Sequence, residues 1–192
     1  MIKKLALLFV LINYLNFSAQ NTENKKPKMD FYFNPSIHVV YNLFKEKDNY
    51  DHNSQYVQPS PDHKLTYGIT AIGGYNFLPN FALGTGLRYN FIEDNYHLVY
   101  WVIQPKIIFA PGDRPFYIEA NYGKQINNSV VSNSEFWGAR LGMQVSFSKR
   151  LSQEGGIIFE GHKLGNSHPF FIGLSYGITI FSNKNYTAYG ID

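Results

Sequence analysis

Alternation between bulky apolar residues and small or polar residues is the clearest pattern along this chain. It is sharpest from Phe170 to Phe181, where every second residue is bulky and apolar. Between these residues lie Gly173, Ser175, Gly177 and Thr179. Side chains of a β-strand point alternately to the two faces of a sheet. The segment therefore predicts a strand with one apolar face and one face of small, polar residues.

The same two-faced pattern recurs in seven earlier segments, so the sequence predicts eight strands. Each segment is about as long as the roughly 9–11 residues that a tilted strand needs to cross a bilayer. The longest apolar run within them, Leu98 to Ile103, is far too short for a membrane-spanning helix. The predicted strands are residues 31–44, 65–77, 81–92, 97–109, 116–126, 136–147, 154–163 and 170–181.

The first residues have the pattern of a secretion signal. The basic pair Lys3-Lys4 precedes an apolar stretch from Leu5 to Leu15, and Phe17-Ser18-Ala19 has the form of a small-residue cleavage site. The apolar stretch is shorter than a spanning helix, and no stop-transfer segment follows it. We therefore predict export, with residues 1–19 removed as a signal peptide and residues 20–30 left as a short periplasmic segment.

The connections between the predicted strands differ in length according to the side of the sheet. The short ones are residues 78–80, 110–115 and 148–153, the longer ones are residues 45–64, 127–135 and 163–169, and residues 93–96 are short on the longer side. Outer-membrane barrels have an even number of strands, short periplasmic turns and longer outer loops. We therefore predict an all-β, antiparallel up-and-down barrel of eight strands that spans the outer membrane with both termini in the periplasm.

A soluble lipocalin-like barrel is the alternative fold. Its bulky residues would point inward and its outer surface would be charged. In this sequence the charged residues share a face with the small glycine, serine and threonine residues. That combination fits the narrow lumen of an eight-stranded barrel.

Several residue patterns resemble a known class of proteins. These are the glycine- and tyrosine-rich alternating strands, the Ser18-Ala19-Gln20 signal end and the final Leu-Ser-Tyr-Gly-Ile-Thr-Ile-Phe segment that ends at Phe181. The chain resembles the small outer-membrane β-barrel proteins of the Bacteroidota type over residues 31–181, with residues 182–192 as a periplasmic tail. The resemblance implies a Gram-negative outer-membrane protein that contacts lipid, lipopolysaccharide and the barrel-insertion machinery. We predict a non-enzymatic role, in which the barrel displays the loops at residues 45–64 and 127–135 for anchoring, adhesion, envelope integrity or the binding of an unidentified protein partner.

Two other functions remain as alternatives. Some eight-stranded barrels hydrolyse lipid A acyl chains through histidine, serine and an acid, and the nearest match to their His-x-Ser-Asn motif is His162–Asn166, which lacks the serine. Ser36 and His38 share a face, and Ser167 adjoins His168. The second alternative is a barrel subunit of a secretion or transport system. Because the motif lacks its serine and alternation points His162 into the lumen, we predict no catalytic residues.

Composition and charge exclude several other classes. The chain contains no cysteine, which rules out disulfides and a lipid anchor on an N-terminal cysteine. Its formal charge of +3 falls to +1 without the two signal-peptide lysines, so the basic surface of a nucleic-acid-binding protein is missing. The loop histidines His52, His63 and His97 lack a metal-ligand spacing. We predict no metal and no cofactor.

The short turns also predict strand registers in which each pair shares a face. If the turn at residues 78–80 is symmetric, it sets Phe77 opposite Phe81, Tyr75 opposite Leu83, Gly74 opposite Gly84 and Thr70 opposite Arg88. A symmetric turn at residues 110–115 sets Phe109 opposite Phe116, Ile107 opposite Ile118, Lys106 opposite Glu119 and Gln104 opposite Asn121. Pro105 cannot donate to a ladder and predicts a local bulge.

Five charged residues on the predicted lumen face form the candidate site: Arg88, Lys106, Glu119, Arg140 and Glu160. A charge inside a narrow barrel is costly unless it is paired. We predict two ion pairs, Lys106–Glu119 and Arg140–Glu160, the second near His162. Arg88 is expected to join one of them as a third cation. The predicted role of this network is structural.

Overall fold

The computed structural model describes residues 30–43, 65–78, 80–92, 96–109, 115–129, 131–146, 148, 150–165 and 167–182. The predicted signal peptide, the loop at residues 45–64 and residues 183–192 lie outside the described part of the chain. Within that part, no helix has the length and apolarity to cross a membrane.

Eight antiparallel strands form one closed barrel, in which each strand pairs with its neighbours in sequence and the last pairs with the first. The strands are β1 (Asp30–Asn42), β2 (Leu65–Leu78), β3 (Phe81–Ile92), β4 (Tyr96–Phe109), β5 (Phe116–Gln125), β6 (Glu135–Ser146), β7 (Leu151–Lys163) and β8 (Phe170–Phe181). The predicted all-β, eight-stranded antiparallel barrel is confirmed. The end with the short connections after β2, β4 and β6 is called the turn end below, and the opposite end is called the loop end.

The stagger of the strands fixes the width of the barrel. The row of paired residues that starts at Asp30 returns to β1 at Val40, ten residues farther along, after passing Asn76, Ala82, Lys106, Glu119, Arg140, Ile158 and Gly173. With eight strands, this stagger corresponds to a strand tilt of about 40° and a backbone radius of about 8 Å. A lumen of this width is filled by side chains.

Most large apolar side chains face outward, and most charged side chains of the described strands face inward. Five highly exposed apolar residues, 57–67% accessible, lie on several strands: Phe31, Ile37, Ile69, Trp137 and Leu174. By contrast, the lumen residues Glu119 and Glu160 are 1% and 0% accessible. This distribution is the inverse of a water-soluble barrel, so the lipocalin-like alternative does not fit the structure.

The register predicted from the first turn is confirmed for most of β2 and β3. Tyr75 faces Leu83, and the two pairs farther from the turn are also as predicted, with Gly74 opposite Gly84 and Thr70 opposite Arg88. The Phe77–Phe81 pair is wrong, because β2 is irregular between Asn76 and Leu78 and Leu78 faces Phe81 instead. The turn is therefore asymmetric.

The register predicted for β4 and β5 is confirmed at Phe109–Phe116, Ile107–Ile118 and Lys106–Glu119. The bulge predicted at Pro105 is wrong. The register is the same on both sides of Pro105, but the pairs at Gln104 and Pro105 are missing from the β4·β5 ladder. Proline has removed a hydrogen bond without shifting the strand.

Candidate functional site in the barrel lumen

Four charged residues near the turn end form one ion-paired group, which is called the turn-end cluster: Lys106, Glu119, Arg140 and Glu154. Lys106 Nζ lies 2.6 Å from Glu154 Oε1. Arg140 NH2 lies 2.5 Å from Glu119 Oε2 and 3.2 Å from Glu154 Oε2. All four are buried, and two cations balance two carboxylates, so the cluster is neutral. Pairing of this kind offsets the cost of removing the charges from water.

Polar and aromatic neighbours complete the turn-end cluster. The Thr179 hydroxyl donates to Glu154 Oε1 at 2.6 Å, and the Gln104 amide donates to Glu119 Oε1 at 2.7 Å. Lys106 Nζ also lies 4.1 Å from the centroid of the Tyr117 ring, within the range of a cation–π contact. Each carboxylate therefore accepts several donors, as buried carboxylates require.

A second group, called the loop-end cluster, lies closer to the long connections: Arg88, Glu160, His162, His38 and Asn90. Arg88 donates two hydrogen bonds to the carboxylate of Glu160, at 2.6 and 2.8 Å. Arg88 Nε donates to Asn90 Oδ1, which also lies 3.0 Å from His38 Nε2. His162 Nε2 lies 3.3 Å from Glu160 Oε2. A two-pronged guanidinium–carboxylate pair fixes orientation as well as charge.

Aromatic rings surround the loop-end cluster. The His162 ring stacks on Phe136, with centroids 5.4 Å apart, and meets the Phe171 ring edge-on at 5.1 Å. The Arg88 guanidinium lies 4.6 Å from the centroid of the Phe136 ring. Polar groups in this half of the lumen are thus enclosed by hydrophobic surface on the side that faces the loops.

The five predicted lumen residues are all buried inside the barrel, but their predicted pairing is wrong. Lys106 lies opposite Glu119 in the ladder and nevertheless pairs with Glu154. Arg140 pairs with Glu119 and Glu154, whereas Glu160 pairs with Arg88. Long side chains reach across a lumen of this width as readily as they reach the next strand. Arg88 does join an ion pair, as a partner of Glu160.

Glu154 is not among the five predicted lumen residues, yet it pairs with both cations of the turn-end cluster. It contacts Lys106, Arg140 and the Thr179 hydroxyl. Glu154 is the first residue of the predicted seventh strand, residues 154–163. Alternation from Glu160 back along β7 puts Glu154 on the lumen face, and this signal was available in the sequence.

An apolar layer closes the lumen at the loop end. Ile92, Leu98 and Leu164 are almost fully buried in one hydrophobic cluster, and Val131 packs against it. Val131 belongs to the connection after β5, and Leu164 belongs to the connection after β7. Two loops therefore each contribute an apolar side chain to the cover above the loop-end cluster.

The connection after β5 is ordered by the side chain of Gln125. Its amide nitrogen donates to the carbonyls of Asn127 and Val131, at 2.9 and 2.8 Å, and its amide oxygen accepts from the Ser134 backbone N–H at 2.8 Å. The Asn127 side chain in turn accepts from the backbone N–H of Val99 at 2.8 Å. The described residues of this loop, 126–129 and 131–134, are thus tied to the barrel by hydrogen bonds.

A small cleft lies at the turn end of the lumen. Lys106 and Glu154 are among its polar lining residues, and Tyr32, Ile108 and Phe181 contribute apolar walls. The Lys106–Glu154 ion pair therefore forms part of the wall of this cleft.

The described hydrogen bonds of the two lumen histidines, His38 and His162, join neither ring to a serine. The described partner of the His38 ring is Asn90, and that of the His162 ring is Glu160. A hydroxyl nucleophile needs a base within hydrogen-bond distance, and neither described bond joins a histidine to a serine. Among the described residues, no group of three metal-ligating side chains occurs. His97 lies on the outer surface beside Tyr89, and His52 and His63 lie outside the described residues.

Charged side chains on the outer face of the described strands occur in one place, near the loop end. Lys124 on β5 faces Glu135 on β6, and Glu135 faces Lys163 on β7. Aromatic rings lie close by on the same face, including Trp137 next to Phe170, with centroids 6.3 Å apart. A charged row beside aromatic rings is typical of the edge of an apolar band.

No protein-family model matches the sequence, and no curated protein is detectably similar to it. The structure is similar to the crystal structure of Neisserial surface protein A (NspA), with a TM-score of 0.57 and 10% identity over 78% of this chain and 96% of that one. It also aligns with the N-terminal β-barrel domain of Pseudomonas aeruginosa OprF, at a TM-score of 0.47 and 13% identity over 80% of this chain and 100% of that one. At these identities the similarity is one of fold, and the NspA comparison supports a closed eight-stranded barrel.

Proposed function

We propose that this chain is an outer-membrane barrel of a Gram-negative bacterium, of the Bacteroidota type, with both termini in the periplasm and a non-enzymatic role. The observation that carries the proposal is the inverted surface, because apolar side chains such as Phe31 and Leu174 face outward while Arg88 and Glu160 are buried. Exposed apolar area of this extent is stable in lipid and not in water.

The height of the apolar band supports insertion in a bilayer. The outward residues of β1 from Phe31 to Tyr41 include no charged side chain. Ten residues at a rise of about 3.3 Å and a tilt of about 40° give a height of about 25 Å, the height typical of outer-membrane barrels. The outward Thr85 hydroxyl donates to the Val102 carbonyl, so it needs no water in that environment.

The filled lumen favours an anchor over a channel. Two ion-paired clusters occupy the lumen, and an apolar layer that includes Leu164 covers its loop end. We propose that the function resides on the outer side, in the loops at residues 45–64 and 127–135. They would act in adhesion, envelope integrity or the binding of a protein partner. In this proposal the barrel contacts outer-membrane lipid and lipopolysaccharide and is inserted by the barrel-assembly machinery.

Membrane fractionation together with a heat-dependent gel shift tests the proposed location. We expect the protein in the outer-membrane fraction, with a faster-migrating folded form that disappears on boiling. An epitope inserted in residues 45–64 should be labelled on intact cells, and one placed after residue 182 should be labelled only after lysis. Recovery as a soluble periplasmic protein would overturn the proposal.

The lipid A profile of a deletion strain tests the non-enzymatic role. We expect the same acylated species with and without the gene, since the described hydrogen bonds join His38 to Asn90 and His162 to Glu160 rather than to a serine. Loss of a deacylated species, restored by the intact gene and not by a His162→Ala variant, would establish the acyl hydrolase alternative instead.

A further inference from the structure

Two outward-facing prolines interrupt the wall of the barrel at two of its strand pairs. In β1·β8 the pairs at Asn34 and Pro35 are missing, although the register is the same on both sides of the gap. In β4·β5 the pairs at Gln104 and Pro105 are missing in the same way. Both prolines are paired with their other neighbouring strand. The two gaps are separated by four strands in each direction and therefore lie on opposite sides of the barrel.

Each proline lacks the N–H that would face the incomplete ladder. On β1 the odd-numbered residues point their backbone groups to β8, since Phe31 accepts a bond from Ser182 and Leu43 donates one to Phe170. Pro35 lies opposite Ile178 in this register and has no N–H to donate to its carbonyl. A backbone carbonyl left without a donor is costly in lipid, because no water replaces the missing bond. The prolines are therefore weak points of the wall.

Side chains in the lumen cross both gaps. The residue before Pro35, Asn34, donates from its amide to the Thr179 hydroxyl of β8 at 2.7 Å. The residue before Pro105, Gln104, donates from its amide to Asn121 Oδ1 of β5 at 2.8 Å. In each case a side-chain hydrogen bond joins the two strands at the level where the backbone pairing is missing.

The two crossings are joined by the turn-end cluster. From the first gap, Thr179 donates to Glu154 Oε1 at 2.6 Å, and Glu154 Oε2 accepts from Arg140 at 3.2 Å. Arg140 bonds Glu119 at 2.5 Å, and Glu119 accepts from Gln104 at 2.7 Å beside the second gap. A continuous chain of hydrogen bonds therefore runs inside the barrel from one proline gap to the other. The described bonds of the loop-end cluster reach neither gap.

We propose that this chain of side chains is an internal strap, that Glu154 is its central link, and that the barrel opens at β1·β8 when the strap is cut. Of the two gaps, the one in β4·β5 is bridged by the covalent turn at residues 110–115. Strands β1 and β8 have no such connection and are held by hydrogen bonds and side-chain contacts alone. Glu154 is thus a positioning residue for closure of the barrel.

Hydrogen–deuterium exchange of the full-length folded protein in lipid nanodiscs tests the strap. Glu154→Gln should speed exchange of amides in β1 and β8 by about tenfold or more, with little change in β2 and β3, because local opening exposes only the seam. Glu160→Gln is the matched control, since it also neutralises a buried carboxylate but one outside the strap. If Glu154→Gln does not fold, Thr179→Val is the second variant. It removes the hydroxyl that bonds both Asn34 and Glu154 but leaves the four charges of the turn-end cluster in place, so it should still speed exchange at the same seam.

A rescue by Pro35→Ala separates the strap from general destabilisation. Alanine restores the N–H that faces β8, so in the Glu154→Gln background it should return seam exchange most of the way towards the wild-type rate. Pro105→Ala restores a donor at the other gap and should leave the β1·β8 rates unchanged. Three results would overturn the proposal. Glu154→Gln could speed amide exchange equally in all strands, or Glu160→Gln could speed exchange at β1·β8 as much as Glu154→Gln does. Pro105→Ala could also restore slow exchange at β1·β8 as strongly as Pro35→Ala.

Discussion

Replacing Arg88 by methionine isolates the energetic role of the loop-end ion pair. Arg88 makes two bonds to Glu160, at 2.6 and 2.8 Å, and both side chains are almost completely buried. Without the guanidinium, the Glu160 carboxylate keeps only the His162 contact at 3.3 Å among its described partners. An unpaired buried charge typically costs about 3–5 kcal/mol. We expect Arg88→Met to lower the free energy of unfolding by that amount.

Removing both charges should cost less than removing one. In the double variant Arg88→Met with Glu160→Leu, neither charge of the ion pair remains. What the protein still loses is one hydrogen bond at Asn90 and one at His162. Unsatisfied polar groups of this kind cost about 1–3 kcal/mol, so the double variant should be more stable than Arg88→Met alone. Lys124→Met is a matched control on the exposed outer face, where we expect a change below about 1 kcal/mol.

Urea unfolding in detergent or lipid vesicles, followed by tryptophan fluorescence and by the gel shift, measures these differences. The reasoning depends on non-additivity, because two residues of one buried pair share a single interaction energy. If the free energy of unfolding falls in the double variant by the sum of the decreases in the two single variants, Arg88 and Glu160 stabilise the barrel independently. The buried-pair account would then be wrong.

Three other outcomes follow from the same lumen and its cover. Lys106→Met combined with Glu119→Leu leaves Arg140 and Glu154 paired. In urea titrations this double variant should therefore destabilise the barrel less than Glu119→Gln alone, which leaves one cation in excess. The opposite order would contradict the observed pairing. Gln125→Ala removes three hydrogen bonds from the loop at residues 126–134. Limited proteolysis of intact cells or proteoliposomes should then cut that loop several-fold faster. An unchanged cleavage rate would show that the loop is held by other contacts. Planar-bilayer recordings of the purified protein should give no stable conductance steps, because ion-paired side chains fill the lumen, and steady single-channel currents would refute a sealed barrel.

Strand positions and registers were predictable from the sequence because both follow local rules. Alternation of side chains has a period of two, so segments such as Phe170–Phe181 predict a strand and its two faces without reference to the rest of the chain. Short turns then fix which residues face each other, as at Lys106 and Glu119. The rule failed at Phe77, where an irregularity in β2 made the turn asymmetric.

Partners across the lumen were not predictable in the same way. Glu154 is 48 residues from Lys106 in sequence, and Glu160 is 72 residues from Arg88. No local pattern selects such partners, because the choice depends on the stagger of the closed barrel and on how far each side chain reaches. The ladder neighbour is only one of several acids within reach of a lysine, and Lys106 takes the acid that lies across the lumen from it.

The effect of Pro105 on its strand also depends on the closed barrel rather than on a local rule. Pro105 was expected to bulge, since a missing donor usually requires the chain to deviate from the ladder. In the closed barrel the register is held on both sides of the gap, and the Gln104 amide joins β4 to β5 from within the lumen. Asn34 does the same beside Pro35. Polar residues that precede a strand proline on the lumen face are therefore informative, because they indicate where side chains replace the wall's missing backbone bonds.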